Sequence, residues 1–353
     1  MTISRRTFLT LAGAASAAAA LPRAKEPGWE RLGAHPGATA QPTAVGRRIV
    51  DLEIYRGMLF AGYGDWNGNT GPISIDPFDI SRGRFVGSRH RAYTHAIHTW
   101  RITSAGLMAP NIDPLGDAPV AALDPRGGFS WSPDGLRWEQ QPVGASFHVF
   151  DITDSDAGRF AVGSGSVAGQ AGPAGPVAWR RTAAYTWERS FARDGVRAQS
   201  QDRYHWIASA DGVPYLQAGW SGGGFGPMRR FHQGYWQEMP LVRERFHLGT
   251  VGSRVQSCDG RLLSGGSTGL RVFTPSTRRI HTVAMPGGES ITDLYVSGRT
   301  VYVLTSDRVF VSRNAGATFA GLITPVSGAT SLAVGGGRVY LGTSSGVLYA
   351  HSL

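Results

Sequence analysis

The chain has 353 residues, of which 41% are apolar and 17% charged, enough for a core in one large domain or two smaller ones. Its net charge of +10 favours acidic partners, but the arginines are scattered along the chain, so we expect no nucleic-acid partner. The single cysteine, Cys258, excludes an intrachain disulfide and a zinc site of the Cys-x-x-Cys type.

The first predicted element is an export signal over residues 1–24. Ser4 to Leu9 reads S-R-R-T-F-L, and an apolar, alanine-rich run from Leu11 to Leu21 follows. This pattern resembles the twin-arginine signal of bacterial proteins that fold before export. The run is shorter than the roughly 20 residues that span a bilayer. We therefore expect cleavage, no membrane anchor afterwards and a location outside the cytoplasm. Removing three arginines with the signal changes the net charge from +10 to +7.

The rest of the chain, residues 25–353, repeats one unit of short strands separated by glycine-rich turns. The clearest copy is Thr330–Tyr349, where three strands carry alternating apolar residues. Seven copies begin at Val50, His98, His148, His205, Ser253, Ile291 and Thr330. Their spacing is near the roughly 40 to 50 residues of a propeller blade. A further outer strand follows each copy except the last, and Gly28–Gly33 supplies the missing one.

The repeat predicts an all-β fold, a seven-bladed β-propeller closed by its N-terminal strand. Closure of this kind removes exposed sheet edges. Six or eight blades remain alternatives, because the first and fourth units are irregular. We expect one propeller domain and a monomer.

Two turns carry a resemblance to a known propeller motif. Ser312–Phe319 reads S-R-N-A-G-A-T-F, and Ser132–Trp138 reads S-P-D-G-L-R-W. Both resemble the Asp-box of sialidase-like (BNR-repeat) propellers, Ser-x-Asp-x-Gly-x-Thr-Trp, with substitutions in the first and a one-residue deletion in the second. The resemblance implies blade architecture. The Phe-Arg-Ile-Pro signature of bacterial sialidases is missing, so sialidase activity is not implied.

The loops after the second strand differ between blades. They are tight in blades 5 to 7 and long in blades 1 to 4, which predicts a binding site on the first four blades. The loop of blade 1 contains Asp65, Trp66, Asn67 and Asn69. Their oxygens suit sugar hydroxyls or a hard cation, and the tryptophan suits stacking on a sugar. Alternatively, the polar side chains cap a sharp turn.

Three histidines occupy equivalent entries to the inner strands of blades 2, 3 and 4, namely His98, His148 and His205. Imidazoles meeting at the channel mouth could bind a divalent metal ion. His148 and His205 could instead act as general acid and base. The structural alternative is that each histidine bonds a backbone carbonyl and fixes its blade.

Further candidates lie in neighbouring loops. A glycosidase needs two carboxylates, for which Asp65 with Asp113 is the most plausible pair. Arg197 suits a substrate carboxylate or phosphate, and Trp220 could stack on a sugar. No Gly-x-Ser-x-Gly elbow, phosphate-binding glycine loop or His-Glu-x-x-His motif is present.

The sequence predicts an exported propeller that binds and cleaves an acidic polysaccharide or cell-envelope glycan, as a lyase or a glycoside hydrolase. Seven-bladed lyases that act on uronic-acid polymers offer a fold-level analogy. The alternative is a non-catalytic scaffold that binds envelope glycan or protein partners.

Overall fold

The computed structural model describes residues 28–87, 90–115, 127–144, 146–166, 174–183, 186–192, 203–219, 225–240, 242, 244–247 and 254–353. Seven four-stranded antiparallel sheets form a ring, which confirms the seven-bladed β-propeller. No helix among these residues is long and apolar enough to cross a membrane. The predicted export signal, Arg197 and Trp220 lie outside the described residues.

The first half of the chain begins with the closing strand and two short helices. These elements are β1 (Glu30–Ala34), α1 (Pro36–Thr39) and α2 (Ala44–Arg47). Blade 1 consists of β2 (Asp51–Tyr55), β3 (Met58–Gly62), β5 (Phe78–Asp79) and β6 (Arg84–Phe85), and a separate two-stranded sheet pairs β4 (Ile73–Ser74) with β7 (Arg91–Ala92). Blade 2 consists of β8 (Arg101–Thr103), β9 (Gly106–Pro110), β10 (Gly128–Ser132) and β11 (Glu139–Pro142).

Blades 3 and 4 have the longest strands. Blade 3 consists of β12 (Ser146–Ser155), β13 (Gly158–Ser166), β14 (Ala174–Ala183) and β15 (Thr186–Ala192). Blade 4 consists of β16 (Arg203–Ala210), β17 (Val213–Gly219), β18 (Phe225–His232) and β19 (Tyr235–Glu238).

The last three blades are regular. Their strands are β20 (Gln256–Cys258), β21 (Arg261–Gly266), β22 (Gly269–Thr274) and β23 (Arg279–Val283) in blade 5, β24 (Asp293–Ser297), β25 (Thr300–Leu304), β26 (Val309–Ser312) and β27 (Ala320–Ile323) in blade 6, and β28 (Ala329–Gly335), β29 (Arg338–Thr343) and β30 (Val347–Ser352) in blade 7. A 3₁₀ turn, Pro286–Gly288, precedes β24.

The ring closes as the sequence predicted. β1 pairs antiparallel with β30 and becomes the outer strand of blade 7, so one sheet joins the two ends of the chain. Glu30 and Arg338 add an ion pair across this sheet. The closing strand leaves no unpaired edge on blade 7's third strand.

Side chains of the inner strands tie neighbouring blades together. In each case a polar side chain of one inner strand bonds the backbone of the neighbouring blade, on or just before its inner strand. The bonds are from Trp100 N to Asp51 (2.7 Å), from Ile207 N to Asp151 (3.0 Å), from Val296 N to Gln256 (2.8 Å), from Leu332 N to Asp293 (2.8 Å) and from Thr330 Oγ1 to Ile49 O (2.6 Å). These buried bonds fix the inter-blade register.

A buried ionic network spans the centre of the ring. Arg254, just before the inner strand of blade 5, reaches across to blade 1. It donates to Glu53 Oε2 at 2.7 Å and to the Leu52 carbonyl at 2.8 Å, and its Nε lies 3.3 Å from Asp51 Oδ1. The hydroxyl of Tyr295 in blade 6 donates to the same glutamate at 2.8 Å. The network therefore occupies the channel with protein groups.

The two turns that resemble Asp-boxes bond their own backbones. Ser132 Oγ accepts from Gly135 N at 2.7 Å, and Asp134 Oδ1 accepts from the following amides. In blade 6, Ser312 Oγ accepts from Gly316 N at 2.9 Å. Both turns join a third strand to an outer strand, so they lie at the end of the blade opposite the long loops.

Candidate functional site

The candidate site lies on the face where inner strands begin and second strands end, which we call the entry face. Blade 2 contributes Asp113 after β9, and blade 3 contributes His148 on β12 and Ser164 on β13. Blade 4 contributes Arg203 and His205 at the start of β16. The antiparallel blade topology therefore brings residues from separate repeats to one surface.

His148 is held on both sides of its ring. Its Nδ1 lies 2.7 Å from Ser164 Oγ, the residue opposite it in the β12–β13 pair. Its Nε2 lies 3.6 Å from Asp113 Oδ1, and both side chains are partly exposed. Ser164 itself is buried, which keeps its hydroxyl away from solvent. The arrangement fixes the imidazole by Nδ1 and leaves Nε2 facing the open side, next to a carboxylate.

Phe150 links the two predicted catalytic histidines. Its ring stacks on that of His148 with a centroid distance of 5.7 Å and packs on that of His205 at 5.0 Å. The guanidinium of Arg203 lies over the same ring at 5.4 Å. One phenyl ring thus holds both imidazoles and a guanidinium in place. We call Asp113, His148, Phe150, Arg203 and His205 the Arg203 cluster.

His205 is neutral at physiological pH. Burial, together with the nearby charges of His247, Arg203 and Arg245, lowers its pKa from 6.5 to about 4. A neutral imidazole keeps a lone pair available, either to accept a proton or to accept a hydrogen bond.

Cationic groups surround this neutral histidine. Arg203 is half-buried, and its guanidinium makes no hydrogen bond or ion pair within the described part of the chain. Burial lowers its pKa, and Asp113 acts in the opposite direction. Arg245 contributes to the same field: burial and Arg271 lower its pKa. Such a concentration of guanidinium groups suits a carboxylate or phosphate ligand.

His98 does not join this cluster. It lies three residues before β8, whereas His148 and His205 lie within their inner strands, so the three positions are not equivalent. Burial lowers the pKa of His98 to about 4, and its ring bonds the backbone of Gly64 in the blade 1 loop. This contact corresponds to the structural alternative for this histidine.

The described residues contain no group of three His, Cys, Asp or Glu side chains that could hold a metal ion. Among the described residues, His98, His148 and His205 are thus not brought together as the shared metal site that the sequence predicted. The physical reason is that His98 packs against blade 1, while the other two flank Phe150.

The carboxylate of Asp65 is bonded by its own turn and by Thr43. Its Oδ2 accepts from Thr43 Oγ1 at 2.8 Å and its Oδ1 from Gly68 N at 3.0 Å, and these bonds lower its pKa. These contacts support the turn-capping interpretation and do not support a catalytic pair with Asp113. Trp66, Asn67 and Asn69 lie exposed in the same loop.

The predicted site and the observed cluster overlap in part. His148, His205 and Asp113 come together, and Arg245, in the segment between blades 4 and 5, adds a nearby charge. Phe150 and Ser164 were not predicted from the sequence. For Phe150, the signal was available in its position between the strand-entry histidine and Asp151 on the same inner strand.

Comparisons with known proteins give structural neighbours and no sequence relative. No model of a protein family matches the chain, and no curated protein sequence does. Virginiamycin B lyase from Staphylococcus aureus is similar in structure, with a TM-score of 0.58, 8% identity and coverage of 92% of this chain and 99% of that one. The WD40 domain of Neurospora crassa Pan2 has a TM-score of 0.58, 12% identity and coverage of 92% and 95%.

A third neighbour is the extracellular domain of a putative hybrid two-component system from B. thetaiotaomicron. Its TM-score is 0.56 at 11% identity, and the similarity covers 87% of this chain and 40% of that one. At such low identity these likenesses show the propeller fold.

Proposed function

We propose that the entry face of blades 2 to 5 binds an anionic polysaccharide of the cell envelope or its surroundings and cleaves it as a lyase. The observation that carries this proposal is Arg203, a half-buried guanidinium with no hydrogen bond or ion pair among the described residues, placed beside His148 and Asp113. A ligand carboxylate is a natural partner for such a group.

His148 is the proton-transferring residue in this proposal. Its Nε2 removes the proton from the sugar carbon that bears the carboxylate, while Arg203 binds that carboxylate and stabilises the developing negative charge. The electrons of the broken C–H bond form a C=C bond, and the adjacent C–O bond to the next sugar breaks. The departing oxygen takes the proton back from the imidazolium, so the reaction needs no added oxidant or reductant.

Two hydrolytic alternatives receive less support. A glycosidase uses two opposed carboxylates, but Asp65 bonds its own turn and Thr43, which leaves Asp113 without that partner. Ser164 bonds His148 as a nucleophilic serine would, but the residue is only 1% exposed. It positions the imidazole.

Structural neighbours are consistent with this reaction class and location. The virginiamycin B lyase neighbour was also solved as a catalytically inactive histidine-to-alanine variant with quinupristin, so this fold can carry a histidine-dependent lyase. The B. thetaiotaomicron neighbour is an extracellular domain. We propose export through the twin-arginine route by way of residues 1–24, and we retain the Asp-box relationship as part of the same proposal.

The test is turnover of a panel of polyuronates, followed by the ultraviolet absorbance of the unsaturated product. We expect activity on at least one polymer and a loss of about 100- to 10,000-fold in kcat for His148→Gln. His281→Gln, a change on the outer strand of blade 5, is the matched control and should retain activity. Binding without turnover by the wild type would instead favour a non-catalytic scaffold. Equal turnover by His148→Gln would remove its catalytic assignment.

A further inference from the structure

Three large apolar side chains are exposed on the blade 1 side of the entry face. They are Val45 on α2, 59% exposed, Trp66, 39% exposed, and Tyr93, 45% exposed. They come from three separate segments of the chain. Exposed groups of this size usually occur singly, so a group of three on one face is informative.

Backbone bonds centred on Gly64 hold the three segments together. Gly64 N donates to Gly46 O at 3.1 Å, next to Val45, and Gly64 forms an antiparallel bridge with Ala96. Trp66 follows Gly64 by two residues. The approach needs glycine, since its φ is +118° and a Cβ there would lie 2.5 Å from the His95 carbonyl oxygen.

The segment that carries Tyr93 continues directly to the Arg203 cluster. Thr94 forms a bridge with Pro114, and His95 N donates to the carbonyl of Asp113 at 2.9 Å. Asp113 in turn faces His148. The exposed apolar groups and the cationic cluster are therefore joined by a continuous run of hydrogen-bonded loops along the entry face.

The chemistry of this region differs from that of the cluster. Its exposed apolar side chains are an indole, a phenol and a valine; Asn67 and Asn69 lie exposed beside the indole, and Arg48 and Arg91 are exposed on the flanking segments. Flat aromatic faces pack on the C–H face of a sugar ring, and amides bond its hydroxyls.

We propose that Val45, Trp66 and Tyr93 form an apolar platform that stacks sugar rings of the same polymer next to the Arg203 cluster. This proposal rests on the proposed function and deepens it. The substrate is then a linear chain of several sugars, bound by charge at the cluster and by stacking at the platform. A single uronic acid or a disaccharide would contact the cluster alone.

The experiment measures the binding of oligogalacturonates of two to eight sugars to the His148→Gln protein, in which cleavage is blocked. We expect affinity to rise with length. Trp66→Ala and Tyr93→Ala, each in that background, should weaken binding of the hexamer about 2- to 10-fold and leave binding of the dimer unchanged. Tyr235→Ala is the matched control, since Tyr235 is 55% exposed on the outer strand of blade 4.

The outcomes separate this proposal from the proposed function. Equal hexamer affinities in the platform variants and the control would overturn the platform while leaving the anionic site. If no oligogalacturonate and no other oligomer from the polyuronate panel binds, the proposed function fails, and binding of neutral cello-oligosaccharides tests the platform. If cellohexaose binds and Trp66→Ala weakens that binding, the platform is supported. If cellohexaose does not bind, the platform is overturned as well.

Discussion

Two arginines in this propeller are removed from solvent to different degrees and have opposite surroundings. Arg254 in the channel contacts two carboxylates, a phenol and two backbone carbonyls. Arg203 on the entry face lies over a phenyl ring and has no hydrogen-bond or ion-pair partner in the described ranges. The first arrangement is complete without a ligand. Desolvation alone therefore does not mark a functional group; the lack of a partner does.

The acidic neighbours of Arg254 explain why it stays charged. Burial alone would lower its pKa, but Asp51, Glu53 and Asp293 raise it well above the ordinary value. Breaking the network is strongly destabilising, because removal of one partner leaves the other charge buried and unpaired. Such a group contributes to folding and cannot reach a substrate.

The largest expected effect is the loss of this network. Arg254→Met should lower the free energy of unfolding by about 3 to 5 kcal/mol, because Glu53 and Asp51 would remain buried without their cation. Urea unfolding followed by fluorescence measures it. Adding Glu53→Gln to Arg254→Met should restore part of the loss. A single variant as stable as the wild type would show that water, not Arg254, satisfies the carboxylates.

The Arg203 cluster and the Arg254 network should also respond oppositely to acid. His205 has a folded-state pKa of about 4 against 6.5, so the unfolded chain binds the proton first and stability is lost as pH falls from 6.5 towards 4. Burial raises the pKa of Asp51 to about 7 despite Arg254. Its folded state binds the proton first, so its contribution to stability is full below its unfolded pKa of 3.8 and is lost as pH rises through 7.

Single variants separate these contributions. Each group's largest contribution to the free energy of unfolding is on the order of 3 kcal/mol. His205→Gln should lessen the fall in unfolding free energy between pH 6.5 and 4, and Asp51→Asn should remove the opposing rise. The measurement is urea unfolding at half-unit pH steps. A pH profile unchanged by His205→Gln would mean that this imidazole is as protonated in the fold as in the unfolded chain.

How far the sequence predicted these clusters depends on the range of the contacts involved. The repeat, the blade number and the closing strand follow from local alternation and glycine turns, and all three are confirmed. The channel network could not be predicted, because Arg254 and Glu53 are 201 residues apart and meet only once the ring closes. The acidic residue within the inner strands of blades 1, 3 and 6 was a visible signal of the inter-blade bonds.

The partner of His148 shows a different limit. Counting back from the Ser155–Gly158 pair in β12 and β13 places Gly165 opposite His148. A bulge between Val149 and Asp151 shifts the register by one residue, so Ser164 is the actual partner. Because a one-residue slip exchanges every opposing side chain, the hydroxyl that positions His148 was not predictable from alternation alone.

A change at Arg203 should separate ligand binding from stability. Arg203→Gln should weaken oligogalacturonate binding by about 10- to 100-fold, the cost of a charge-assisted bond, and leave the urea midpoint nearly unchanged. Calorimetric titration in the His148→Gln background measures affinity. Arg229→Gln is the control, because Arg229 also lies over a phenyl ring, that of Phe191, at 4.4 Å, but on the third strand of blade 4, where it pairs with Glu238. Equal affinities in both variants would contradict the assignment of Arg203.

The smallest expected effect concerns the two aspartates that the sequence paired. Asp65→Ala should cost about 0.5 to 2 kcal/mol of unfolding free energy, since its carboxylate caps a turn and accepts from Thr43, and should leave dimer binding unchanged. Asp113→Asn should change turnover and not stability, because its carboxylate faces His148 at the open surface. If instead Asp65→Ala abolished turnover while Asp113→Asn retained it, the catalytic carboxylate would lie in blade 1. The bonded partners of a side chain, which distinguish Arg254 from Arg203, would then have failed to distinguish the two aspartates.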